Sequence, residues 1–204
     1  MTQVVWVPMT RHIRRVGSFA RMRGHPHPHV VESPLKLAEI QAVIDSAKAR
    51  GTEPLERFIR DRLPEATEDE VQEAVLVAVE IIETVPIMMA RASQAAGERG
   101  LTVVVAPVLE HATRYFLHPM DLIPEMTQGL AGLLDDAYLV MRILQNLQRG
   151  PNPLLDWNLD EPIRFIRRIV GRELGEKLDQ LAMSAMSEVS ESVSHLWQHM
   201  SVQA

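Results

Sequence analysis

The stretch that most constrains the fold is Tyr115 to Asp136, YFLHPMDLIPEMTQGLAGLLDD, where two prolines, two glycines and four carboxylates punctuate a largely apolar run. Pro119 and Pro124 each push the preceding residue out of the α region, so a helix arriving through Tyr115 is expected to stop near Leu117. Asp121 then stands where a short carboxylate can cap a turn by accepting backbone N–H bonds. Gly129 and Gly132 permit a second tight turn or a close helix approach. Beyond them Leu130, Leu133, Leu134, Ala137, Met141, Leu144 and Leu147 share one face of a helix. The expected local structure is helix, acidic corner, helix.

Within this stretch Tyr115, Pro119, Asp121, Pro124 and Glu125 form a Tyr-x-x-x-Pro-x-Asp-x-x-Pro-Asp/Glu run, and Gly132, Leu134, Asp135 and Asp136 close it as Gly-x-Leu-Asp-Asp. The pattern resembles the YkvA-like proteins, the DUF1232 family, with the second proline and the Asp-Asp pair one residue further apart than in the commoner form. The resemblance covers only this motif. It implies a helical fold and brings no assigned activity with it.

Composition narrows the fold class. Of the 204 residues 46% are hydrophobic but only 4% aromatic, so the core must be built from Leu, Val, Ile, Ala and Met. With few alternating runs, that bias predicts an all-α fold, a single helical domain of about seven to eight helices with a central buried helix. There is no cysteine, which removes disulfides, thiolate metal sites and Cys nucleophiles together and suits a cytoplasmic setting. No apolar run reaches the roughly 18–20 residues needed to span a bilayer.

Charge is unevenly placed. Residues 1–31 hold five arginines and no acid, and setting that +5 against the total of −6 leaves the remainder at −11. An acidic body argues against nucleic acid, whose affinity rests on phosphate neutralisation. The basic head contains Trp6 and Arg11, Arg14, Arg15, Arg21 and Arg23. It reads as a solvated or docked tail, with peripheral attachment to an anionic membrane or organelle targeting as alternatives. His25-Pro26-His27-Pro28-His29 reads as a stiff linker, because polyproline geometry splays alternate side chains. The expected organisation is therefore an arm over 1–31 and an all-α domain over 32–204.

Along the domain, Ser33-Pro34 signals a first helix with Leu37, Ile40, Val43, Ile44 and Ala47 as its buried stripe, closed by Gly51. Thr52 is placed to cap a short second helix. Thr67 and Glu70 form a capping box ahead of the most apolar helical run, which reads as the central core helix, kinked or split at Pro86. Met88 and Met89 within it read as core filler ahead of a binding surface. A hairpin containing the motif is expected over about 102–149, broken by Gly150-Pro151-Asn152-Pro153. Asp160 and Glu161 open another helix, whose Arg164, Arg167, Arg168 and Arg172 oppose Ile163, Ile166, Ile169 and Val170. That basic face is expected to meet the acidic body. A long amphipathic helix over about 174–200, with Leu178, Ala182, Ala185, Val189, Val193, Leu196 and Met200 in line, is expected to pack on the body or on a second copy.

The acidic corner has three physical uses. Asp121, Glu125, Asp135 and Asp136 could act as caps and hydrogen-bond acceptors that hold the hairpin. Asp121, Asp135 and Asp136 could instead ligate a divalent cation, the one cofactor such a corner would take, although adjacent helical residues point about 100° apart. A carboxylate pair with His118 or His111 could do acid–base work. No phosphate-cradling glycine loop, His-Glu-x-x-His pair or Gly-x-Ser-x-Gly elbow accompanies them. The balance favours an interaction or scaffolding module that binds a protein partner or itself, with a metal-dependent enzyme, such as a hydrolase, as the alternative and no catalytic residue identified.

Overall fold

Capping chemistry sets several helix boundaries in the computed structural model, which describes residues 36–118, 129–148, 153–155 and 157–202, the side chains of 188, 189 and 191–202 excepted. Among the described residues there are seven α-helices and no strand: α1 (Leu37–Ala49), α2 (Glu53–Arg62), α3 (Glu68–Glu98), α4 (Thr102–Leu117), α5 (Gly132–Asn146), α6 (Asp160–Val170) and α7 (Arg172–Val202). The all-α class is as expected. Contacts divide the chain into Met1–Glu32 and Ser33–Ala204, and the helices belong to the second unit. The arm residues Trp6, Arg11, Arg14, Arg15, Arg21 and Arg23, and the start signal Ser33-Pro34, lie outside the described residues.

Thr67 caps α3 as its sequence predicts: the Glu70 N–H donates to Thr67 Oγ1 at 3.4 Å, and the Thr67 N–H donates to Glu70 Oε2 at 2.7 Å. Thr52 stands at the N-cap of α2 but its side chain makes no capping bond; Pro54 supplies the start signal instead. Between α3 and α4 the Leu101 N–H reaches Ala96 O at 2.8 Å and the Gly100 N–H reaches Gly97 O at 3.2 Å. This paired closure needs a residue of positive φ, which Gly100 provides at +68°. The two helices are thereby joined in three residues.

Pro86 does not split α3, which runs unbroken for 31 residues. Its ring removes the hydrogen bond to the Ile82 carbonyl, an effect that costs about 3 kcal/mol in an isolated helix. Here Pro86 is buried with Ile81, Ile82, Val85, Met88 and Met89 around it. Each large apolar side chain so buried contributes roughly 1.5–3 kcal/mol, enough to hold the segment helical. Met88 and Met89 are core residues, as read.

The helix enclosed on every side is α5, not α3. Eleven of its fifteen residues are buried, against eleven of 31 in α3, which leaves Leu76 and Ile87 exposed. α5 lies against α3, α4, α6 and α7, so little beyond Arg142, Gln145 and Asn146 reaches solvent. α3 in turn is flanked by α1, α2, α4 and α5 and forms the wall of the domain. Ion pairs tie the outer helices to that wall: Lys48 of α1 meets Glu83, and Arg60 of α2 meets Glu68 at 2.9 Å. No described helix is long and apolar enough to cross a membrane.

Candidate functional site

α4 and α5 form the two arms of the motif hairpin. α4 ends at Leu117, with His118 as its C-cap, and α5 begins at Gly132. His111 and Tyr115, one turn apart on α4, meet edge to face with ring centroids 4.9 Å apart. Thr113, also buried, turns its hydroxyl back to the Leu109 carbonyl at 2.8 Å. Pro119, Asp121, Pro124 and Glu125 lie outside the described residues.

Asp135 and Asp136 are only 7% and 3% exposed, the two buried carboxylates of the described core. Both are engaged in polar interactions, as are His111 and Tyr115. Adjacent helical residues point about 100° apart, which would expose one of the pair if only one helix face were covered. Both are buried because α5 is surrounded. Asp135 also lies in the first turn, where the positive end of the helix favours a carboxylate. Among the described residues no three His, Asp or Glu side chains gather as metal ligands.

A second polar cluster was not foreseen in the sequence. Tyr138, fully buried in α5, donates its hydroxyl to Asp179 Oδ1 on α7 at 2.8 Å. Burial, and then the hydrogen bond to the Asp179 carboxylate, push the phenol up to about 12. Arg142 Nε of α5 lies 2.9 Å from the same oxygen, and Arg167 Nη1 of α6 donates to Asp179 Oδ2 at 2.7 Å. One carboxylate thus joins three helices. Arg142 also donates through Nη1 to Gln145, and Gln145 Nε2 donates to Asp160 Oδ1 at 2.6 Å. The chain Asp179–Arg142–Gln145–Asp160 runs from α7 across α5 to the start of α6. The signal was present but faint: a tyrosine inside an apolar run, and Asp179 beside the Leu178–Ala182 stripe.

Beside this chain opens a polar cleft of about 360 Å³, lined by Arg142, Gln145, Gln148, Trp157, Asn158 and Asp160. From it α6 runs outward with an amphipathic split. Ile163, Phe165, Ile166, Ile169 and Val170 are buried, while Arg164, Arg167 and Arg168 are exposed; Arg172, expected on the same helix, is exposed as the first residue of α7, because the chain breaks at Gly171. Only Arg167 meets an acid of the body; Arg164, Arg168 and Arg172 form no ion pair with a described residue. The expected docking of this face on the acidic body is therefore limited to one arginine. Arg62 of α2 adds a further guanidinium at the far end, its Nη1 donating to Val170 O at 3.3 Å and its guanidinium carbon 5.2 Å from the Phe58 ring centre. Gly171, with φ of +81°, makes the break there that separates α6 from α7.

The hairpin defines the class of helical protein to which the motif points. Residues 112–141 match the model of the DUF1232 family, described as a protein of unknown function. No curated protein and no solved structure matches the chain.

Proposed function

We propose that the protein is a helical interaction module whose α6 arginine face docks an acidic segment of a protein partner. The observation that carries this reading is the pair Arg164 and Arg168 on α6, with Arg172 just beyond the Gly171 break at the start of α7, all exposed and without an acid among the described residues, on a chain whose net charge is −6. Like charges four residues apart on a helix are mildly unfavourable, by about 0.2–0.5 kcal/mol, so the Arg164–Arg168 pair does nothing for the free fold. Guanidinium groups are weakly hydrated and take carboxylates in a two-point grip, which suits them to a partner's Asp and Glu side chains. Such a surface raises the rate of encounter and selects partners by charge.

The test is fluorescence anisotropy with a labelled synthetic peptide carrying alternate glutamates, titrated with the full chain at low and at physiological salt. Binding that weakens about tenfold or more in the Arg164→Ala/Arg168→Ala/Arg172→Ala variant, and with added salt, is the expected result. Equal binding by the variant overturns the reading. So does cosedimentation with anionic phosphatidylserine vesicles in the absence of peptide binding, because it makes the face a membrane contact.

A further inference from the structure

We infer that the cleft at the start of α6 is the anchor subsite of this docking face, and that it takes an extended peptide. In this peptide a flat side chain sits against Trp157, and carboxylates two and four residues away reach Arg164 and Arg168. The inference rests on the acidic-partner reading above and names the ligand's form.

Three observations lead there. First, the cleft is preorganised: Arg142 is held by Asp179 and Gln145, and Gln145 by Asp160, so its polar walls are fixed before a ligand arrives. Second, its hydrogen-bonding capacity is that of a partner for a peptide unit. Gln148 Nε2 is buried with no hydrogen-bond partner, a donor whose isolation costs about 1–3 kcal/mol and which a peptide carbonyl would satisfy. Asp160, which accepts from Gln145 through Oδ1, is exposed and its carboxylate can also accept a peptide N–H. Trp157 offers a half-buried indole for stacking a ring or proline.

Third, the spacing fits. Asp160, Arg164 and Arg168 follow one another at four-residue intervals on the outward side of α6, about 6 Å apart along the axis. Side chains on one side of an extended peptide recur about every 6.6 Å. A strand laid along α6 from the cleft therefore presents every second residue to successive positions. The anchor meets the Asp160 level, and the next two same-side residues meet Arg164 and Arg168.

The experiment compares two labelled peptides, one with the pattern Phe-Ser-Glu-Ser-Glu and one with Ser in place of Phe. They are titrated against the full chain and its Trp157→Ala, Gln148→Leu and Arg164→Ala/Arg168→Ala variants. The expected result is that Phe improves affinity about tenfold for the wild type and not for Trp157→Ala, while Gln148→Leu weakens both peptides. In a Trp6→Phe/Trp197→Phe background, the fluorescence of Trp157 should shift with the Phe peptide even if Trp157→Ala folds poorly. Equal affinity for the two peptides, with binding still lost in the arginine variant, overturns the anchor and leaves the acidic-partner reading intact. Failure of both peptides to bind overturns both.

Discussion

α5 and α6 carry polar side chains to opposite ends. On α5, Asp135, Asp136 and Tyr138 are drawn into the core, each engaged, inside a helix packed against four others. On α6 all three arginines are exposed, and two of them, Arg164 and Arg168, face water without an acid among the described residues. Buried polar groups must be satisfied by fixed partners, so they specify one packing and are expensive to alter. Exposed like charges specify nothing about the fold and remain available to something else. The difference separates residues that hold the domain together from residues that the fold does not use.

The contrast is broken most severely at the Asp-Asp pair. The Asp135→Asn/Asp136→Asn variant is expected to lose on the order of 3–5 kcal/mol in a urea melt, because the groups engaged with these carboxylates are left in a dry interior. Repeating a thermal melt with chelator and with Mg²⁺, Ca²⁺, Mn²⁺ or Zn²⁺ tests the cation reading of Asp121, Asp135 and Asp136. An ion that raises the wild-type midpoint and not the variant's would establish a site there.

Tyr138 gives the next effect through pH. Its folded value is raised to about 12 from the ordinary 10.0. The stabilisation from keeping the phenol neutral is thus complete below pH 10 and is lost as pH climbs through the folded value. The loss is on the order of 3 kcal/mol across that window. In a Tyr115→Phe background, tyrosinate absorbance should appear only near pH 12 or with unfolding. Ionisation near pH 10 in a folded chain would show that the phenol is not held by its burial and Asp179.

Much of this architecture was legible because local chemistry and global packing agree. Thr67 and Glu70 form their box, Gly51 closes α1, and α4 stops at Leu117 as the prolines beyond it require. The stripe Leu133, Leu134, Ala137, Met141 and Leu144 is buried as its spacing requires. What periodicity could not give is how completely its neighbours cover a helix. A run such as LVAVEII looks more central than one containing Asp-Asp and Tyr, yet α5 is the more enclosed helix, because its 15 residues lie against four others while α3 spreads four neighbours over 31. The Asp179 junction was hidden for a related reason. Its members, Tyr138, Arg142, Arg167 and Asp179, come from three helices, and no spacing along the chain links them. The basic face of α6 was read correctly as a face, but its neighbour was assigned by net charge, and net charge does not decide which helix lies opposite.

Asp179 stands between the two extremes, since it is part-buried and meets arginines from both α5 and α6. Asp179→Asn should cost about 2 kcal/mol, the usual size of a charge-assisted hydrogen bond, with the larger share from the better buried Arg142 and Tyr138 contacts. Arg167→Ala should cost less than about 1 kcal/mol, because its side chain is 43% exposed. Equal losses from the two variants would place the strength of the junction on its outer pair.

The smallest change in stability is expected where the largest change in binding is. Arg164→Glu/Arg168→Glu should change stability in a urea melt by no more than about 0.5 kcal/mol, since neither side chain has a partner among the described residues to lose. A glutamate at 164 stands four residues from Asp160 and three from Glu161, and one at 168 four residues from the first, so any change should be slight and in the destabilising direction at low salt. The same variant should abolish binding of the alternate-glutamate peptide, because repulsion replaces attraction at two contacts. A large loss of stability would show that these arginines hold an acid of their own domain. In that case the division between α5 and α6 would be one of burial alone, and the docking surface would have to be sought on another face.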